Sequence, residues 1–332
     1  MFRINENKNR LITPTIILLL IAIIFQLFAI PANAQELNLS INPPLLRVNI
    51  KPGKSITQVF NIENKSPENV LLVARLVPFT SSDKFGNPIL DPSSQVKWLN
   101  YFSLANSEIK LNEPFELKAN SSDQLIVSLS IPDTAPLKDI YTALLVSTYG
   151  NTINNNLQGS SVKASIASNL LITVSTQLSP ATVLKITDFN PETGSFLKLG
   201  NFYIIDNITP LTFNALVKND GDFTAETKGI FKIQHGDADP IELQSILPQY
   251  VIAKNFRKLV NGQDKDFNFT PSVTQIGYFQ AKLEIHSDNA NTNSQINIVF
   301  LPIKILFGFS VGLALILIII NIAFRPQEQN ET

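Results

Sequence analysis

Leu125, Val127, Leu129 and Ile131 alternate with Ile126, Ser128 and Ser130, a period of two that sends one set of side chains into a core and the other toward solvent. Phe279, Ala281, Leu283 and Ile285 alternate in the same way with Gln280, Lys282, Glu284 and His286. Ile56, Phe60 and Ile62 repeat the pattern with minor breaks, as do Leu211, Phe213, Ala215 and Val217. These segments are expected to be half-buried antiparallel strands. Turn-forming residues separate them at Lys51-Pro52-Gly53-Lys54, Asn64-Lys65-Ser66-Pro67, Asn120-Ser121-Ser122-Asp123, Asn219-Asp220-Gly221-Asp222 and His235-Gly236-Asp237. Many short strands between such turns, with no long helical period outside the termini, predict an all-β chain of sandwich type.

The ends follow a different pattern. Arg3, Lys8 and Arg10 precede the apolar run Ile16 to Ile30, and Ala32 and Ala34 stand at −3 and −1 of a cut before Gln35. A charged region, an apolar stretch and small residues at those two places predict a cleaved signal peptide, residues 1–34. An uncleaved anchor helix is the alternative. Near the other end, Ile305 to Phe324 is apolar except for Ser310 and Asn321, and 20 residues at about 1.5 Å each reach across about 30 Å of hydrocarbon. Residues 303–324 are therefore expected to cross a membrane once. With the signal peptide this predicts a type I protein whose body lies outside the cytoplasm and whose residues 325–332 form a cytosolic tail. Gly308 and Gly312 form a GxxxG within the helix, a spacing that allows weak self-association.

The body between the two apolar stretches is too long for one small sandwich and suits two. The boundary is expected at Ser179-Pro180, where proline ends a strand, giving domains 35–179 and 180–302. The chain contains no cysteine, so neither disulfides nor thiolate metal sites enter its stability. Residues 35–302 carry 21 basic and 24 acidic side chains, a balance of −3, and the densest basic group, Lys254, Arg257 and Lys258, is read as a solvated face. Nucleic acid is not expected as a partner.

Candidate chemistry is sparse. His235 and His286 are the two histidines of the chain, and no phosphate-cradling loop or dinucleotide fingerprint is present. His235 with Asp237 and Asp239, or Asp220 with Asp222, could hold a cation through oxygen ligands, but aspartate is favoured in such turns for backbone reasons. No catalytic residue, metal or cofactor is expected. Trp98, Tyr101 and Phe102 form the one dense aromatic cluster. It is a candidate partner-binding surface, with Trp98 and Phe102 as plugs for one end of the first sandwich as the plainer alternative.

Asn42-Pro43-Pro44, Lys51-Pro52-Gly53, the Asn64 turn, Ile131-Pro132-Asp133-Thr134-Ala135 and Tyr141-Thr142-Ala143-Leu144-Leu145 resemble, in order, the first domain of bacterial WxL-interacting proteins and of the wider group of pilus-chaperone-like immunoglobulin domains. Val217 to Asp222, Ile246-Leu247-Pro248, Asn255-Phe256-Arg257 and Gly277 to Ala281 look like that family's second domain. The resemblance implies two tandem immunoglobulin-like sandwiches, a first domain that binds peptidoglycan and a second that binds host or partner proteins. The chain departs from the family at Leu137-Lys138-Asp139-Ile140, where a glycine-rich hairpin would stand. The expected function is a non-catalytic, membrane-anchored surface protein that binds or scaffolds cell-wall glycan or another surface protein. A membrane-tethered, pilus-chaperone-like assembly factor is the alternative, and an enzyme acting on glycans through carboxylates ranks third. Against the assembly factor, Ser179, Pro180, Ala181 and Thr182 at the domain boundary carry no charge.

Overall fold

The structure, a computed structural model, describes residues 37–150, 164–194 and 196–324. The signal-peptide residues Ala32, Ala34 and Gln35 and the tail 325–332 lie outside the described residues.

The first sandwich contains β1 (Leu39–Asn42), β2 (Leu45–Ile50), β3 (Ser55–Asn64), β4 (Val70–Ser82), β5 (Pro88–Leu90), β6 (Phe102–Leu104), β7 (Pro114–Leu117), β8 (Ser121–Ser130), β9 (Asp139–Thr148) and β10 (Ser165–Val174). One sheet has the order β1-β3-β8-β6 and the other β2-β10-β9-β4-β5, with β7 also on β4. The chain changes sheets at Pro43-Pro44: β1 pairs antiparallel with β3, and β2 then pairs parallel with β10. Two consecutive residues without an N–H cannot continue a ladder, so the first strand divides there.

The second sandwich contains β11 (Leu184–Thr193), β12 (Phe196–Leu199), β13 (Phe202–Asp206), β14 (Leu211–Asn219), β15 (Ala225–Gln234), β16 (Glu242–Ser245), β17 (Gln249–Val251), β18 (Phe256–Lys258), β19 (Phe267–Phe269), β20 (Gly277–Ser287) and β21 (Ala290–Leu301). Its sheets are β11-β14-β18, with β19 on β14, and β12-β13-β21-β20-β15-β16, with β17 on β15. Here too an early strand, β13, runs parallel to the last one, β21. In both sandwiches an early strand thus runs parallel to the last one, and the architecture is a tandem of immunoglobulin-like β-sandwiches.

The alternation read from sequence sets the faces. Leu125, Val127 and Leu129 are buried, as are Phe279, Ala281, Leu283 and Ile285, and Leu211, Phe213, Ala215 and Val217. Phe213, Phe231, Phe267 and Phe300 fill the middle of the second core, with Phe213 and Phe231 centroids 5.0 Å apart. Both sandwiches close one corner with a buried asparagine. Asn64 Nδ2 donates to the carbonyls of Glu68 and Lys118 while its Oδ1 accepts from Ser66 N–H. Asn219 Nδ2 donates to the carbonyls of Phe223 and Val251 while its Oδ1 accepts from Gly221 N–H.

Helix α1 (Ile303–Ala323) follows β21 with Pro302 alone between them. It is long and apolar enough to cross a membrane. Pro302 offers no side-chain cap, so Asp206 reaches across from the end of β13: its Oδ1 accepts from Lys304 N–H at 3.3 Å and its Oδ2 lies 3.4 Å from Lys304 Nζ. Thr209 Oγ1 donates to Asp206 and accepts from Lys304 Nζ, which completes the knot. Burial by itself would raise the Asp206 carboxyl. Hydrogen bonds from Thr209 and from the Lys304 amide and ammonium outweigh it and hold that carboxyl below the ordinary range.

Candidate functional site at the junction of the sandwiches

The described residues place a polar and apolar junction between the two sandwiches, assembled from six separate stretches of sequence. At its centre Tyr141, on β9, stacks on Phe79 of β4 with centroids 5.6 Å apart, and both pack with Leu171 and Ile252 in a small satellite core. Tyr141 Oη donates to Asp139 at 2.7 Å and accepts from Ala253 N–H at 3.0 Å. Asp139 also accepts from the hydroxyl and the amide of Thr224, in the corner that Asn219 closes. Burial, then the charge of Asp139, pushes the Tyr141 phenol well above its ordinary range, so it stays a hydroxyl.

A second set of bonds lies beside the first. Asn255 accepts from Ser82 N–H and donates to Thr80 O, and Lys258 N–H donates to Lys84 O at 2.6 Å, so the β4–β5 hairpin is tied by its backbone to β18. Arg257 lays its guanidinium against Gly86, whose φ of 87° and missing Cβ leave room for it. Its Nη1 donates to Tyr250 O at 2.9 Å, while its Nε is buried with no hydrogen-bond partner among the described residues. Burial lowers this guanidinium from its usual range, with Asp264 and Asp83 acting in the opposite sense. Arg47 stands 5.0 Å over the Tyr250 ring and 3.7 Å from Glu226.

Between these groups lies a cleft of about 240 Å³, walled by Leu45, Phe79, Asn169, Tyr250, Ile252 and Arg257. Its chemistry suits an apolar side chain or ring together with a carbonyl or carboxylate, because apolar walls flank a guanidinium with donor capacity left. The uncharged boundary Ser179 to Thr182 did not foreshadow this. The charged groups of the junction come from β2, β9, β15 and β18, which only the fold brings together.

The reading of Lys254, Arg257 and Lys258 as a solvated face is corrected. Lys258 is 8 % exposed and bonds Glu192 and Asp266 at 3.0 and 3.1 Å. Burial opposes its charge, but the two carboxylates raise its pKa. Strand alternation is the reason: Arg257 and Lys258 point to opposite faces of β18, one against the β4–β5 hairpin and the other toward Glu192 and Asp266, while Lys254 stays exposed. The acidic turn at Asp220 and Asp222 also has occupants of its own. Asp220 bonds Lys185 and Lys218 at 2.8 and 2.7 Å, which holds its carboxyl down to about 2, and Asp222 pairs with Lys254 at 2.9 Å. His235 Nδ1 is 2.6 Å from Tyr278 O.

The aromatic cluster does not form one exposed face. Lys97–Tyr101 is a 3₁₀ turn; Phe102 is buried at the start of β6, and Trp98 meets it edge-on at 6.4 Å. Trp98 and Tyr101 are half-buried. Gly308 and Gly312 lie on an open face of α1, where an added Cβ would touch nothing within 4 Å, in a shallow groove lined by Ile305, Phe309, Leu313 and Ile316.

No protein-family model matches the chain, and no curated protein does. Solved structures similar to it include the class 5 fimbriae chaperone CfaA, at 12% identity over 80% of this chain and 100% of that one, with a TM-score of 0.36. The CsuC–CsuE chaperone–tip adhesion subunit complex of Acinetobacter baumannii shows 11% identity over 69% and 93%, with a TM-score of 0.35. The E. coli chaperone DraB shows 12% over 79% and 97%, with a TM-score of 0.33.

Proposed function

We propose that the chain is a non-catalytic, single-pass membrane protein whose two sandwiches lie outside the cytoplasm and bind or scaffold envelope partners. The observation that carries this reading is the passage of β21 through Pro302 into α1, whose residues from Leu306 onward are almost all exposed. A bare apolar helix of that length needs a bilayer around it. It anchors a body whose junction offers a cleft walled by apolar side chains and by the Arg257 guanidinium. Partners of the kind implied by the WxL-interacting resemblance, a cell-wall glycan or a surface protein, present carbonyl, carboxylate and ring groups suited to it. Held at the membrane, a weak site meets such partners at high effective concentration.

A second reading, a tethered assembly factor, is favoured by the edge of β10. Pairing with β2 covers Asn169–Val174 and leaves Ser165 to Ser168 without a partner strand on that side among the described residues, a place where an extended client segment could add.

The test uses the full chain in detergent as bait for an envelope extract. Leu45→Trp fills the cleft while removing none of the hydrogen bonds at the junction. Loss of a captured partner at unchanged thermal stability supports the cleft. Capture that survives Leu45→Trp but fails when the Ser165–Ser168 edge is blocked by Ala167→Pro supports the assembly reading. Recovery of the unmodified chain in a soluble fraction removes both.

A further inference from the structure

The end of the second sandwich from which α1 leaves differs chemically from the opposite end. Strand register places three of its loops beside β21: Thr193, Gly194 and Phe196 after β11, residues 206–210 after β13, and residues 270–276 before β20, since Thr193 pairs with Thr212, Asp206 with Leu301, and Gly277 with Phe300. Asn207 binds two of them together, donating from its side chain to Val273 O and Gln275 O and from its backbone to Leu301 O. In these loops Asp206 is the one charged residue; it is 1 % exposed and already bonded to Lys304. What they present instead is apolar: Phe196 at 38 %, Ile208 at 39 %, Val273 at 54 % and Ile276 at 56 % exposure. The opposite end carries Asp220, Asp222, Lys254 and Asp288.

Distance along the chain decides what these side chains meet. From Leu301 to Ile305, where the unbroken apolar run begins, is four residues, or about 6 Å as helix. The headgroup layer on one side of a bilayer is roughly 5–8 Å deep. A sandwich joined to its helix by one residue, and clamped to it by Asp206, therefore has its loops within that layer.

We propose that this base is a lipid-contacting surface, with Phe196, Ile208, Val273 and Ile276 seated at the headgroup–acyl boundary beside the helix. The proposal rests on the anchoring reading above. The acidic turn at Asp237 and Asp239 stands two strands away from β21, about 10 Å to the side, and confines the footprint to the edge formed by β12, β13 and β21. Apolar side chains at that depth gain from burial while the polar loop backbone stays hydrated.

A chain without cysteine allows single-site spin labelling of the full-length protein in phosphatidylcholine vesicles. Labels at Ile208→Cys and Ile276→Cys are compared with Ile316→Cys in the helix and with Leu178→Cys, a 92 % exposed residue between the sandwiches. The readout is the ratio of collision with oxygen to collision with a water-soluble nickel chelate. A ratio at 208 and 276 several-fold above that at 178, and approaching that at 316, is expected. If 208 and 276 match 178 while 316 remains shielded, the lipid-contacting base is wrong and the anchor stands, whether those residues face water or a second copy of the chain. If 316 is as accessible to the chelate as 178, the anchor itself fails and takes the base with it.

Discussion

Asn64 and Asn219 each use both ends of one amide to close a corner that backbone pairing leaves open, and each stands six residues before the next strand begins. Replacing either with alanine strands buried carbonyls and an amide, and a loss of about 2–3 kcal/mol is expected for Asn64→Ala and Asn219→Ala, read as a lowered urea midpoint at unchanged slope. The turns were legible in the sequence because asparagine before small or flexible residues marks them; that both are the same device was not, since their acceptors at Lys118 and Val251 lie 54 and 32 residues away. Asp220 illustrates charge at this scale. Its carboxyl is held at about 2, below the unfolded value of about 3.9, so its pairing with Lys185 and Lys218 contributes above that value and is lost as pH falls toward 2. Asp220→Asn should therefore lower the plateau above about pH 4 and flatten the acid limb between about pH 4 and 2, the two thermal-melt profiles converging toward pH 2.

At the scale of elements, period-two patterning placed the faces of β8, β14 and β20 without help from anything distant. On β8, Leu129→Asp buries an unpaired carboxylate, at a cost of several kcal/mol, comparable with the stability of a domain, whereas Ser128→Asp leaves the core intact. Circular dichroism of the two variants separates them: loss of cooperative unfolding for the first and a near-native curve for the second. Basic residues on β18 misled the sequence reading for the converse reason, because Lys258 is buried with carboxylates from Glu192 and Asp266 that lie outside its own strand. The start of α1 behaves similarly. Proline and an apolar run announce a helix, but the carboxylate that satisfies its first turn comes from Asp206, some hundred residues earlier. Asp206→Ala should loosen that join, and faster proteolysis next to Pro302 in the detergent-solubilised chain, relative to Asp206→Asn, is the expected outcome.

For the whole molecule, the question is whether the sandwiches unfold together. Tyr141 sits at the centre of the first bond network of the junction, and Tyr141→Phe keeps the stack on Phe79 while leaving Ala253 N–H and Asp139 with one partner fewer. A cost of about 1–3 kcal/mol at the junction is expected, and in calorimetry a single transition should separate into two. The junction could not be read beforehand because its members are scattered from Arg47 to Arg257, and no local pattern distinguishes them from surface charge. The aromatic cluster shows the complementary limit: density of rings is visible in sequence, but that Phe102 turns inward while Trp98 keeps one open edge depends on the 3₁₀ turn between them.

The single-residue join at Pro302 fixes an elevation as well as a connection. β21 is 12 residues long and spans about 40 Å, from the end of the second sandwich where α1 leaves to the corner where Asn289 meets Ser179. The cleft therefore stands at a set height, on a rigid pillar with no extensible stalk beneath it. With α1 in a bilayer as proposed above, a partner rooted in that bilayer can engage the cleft only if its own complementary surface is carried about 40 Å up. Lengthening that partner or shortening this pillar would abolish contact without altering a single residue at the point of binding.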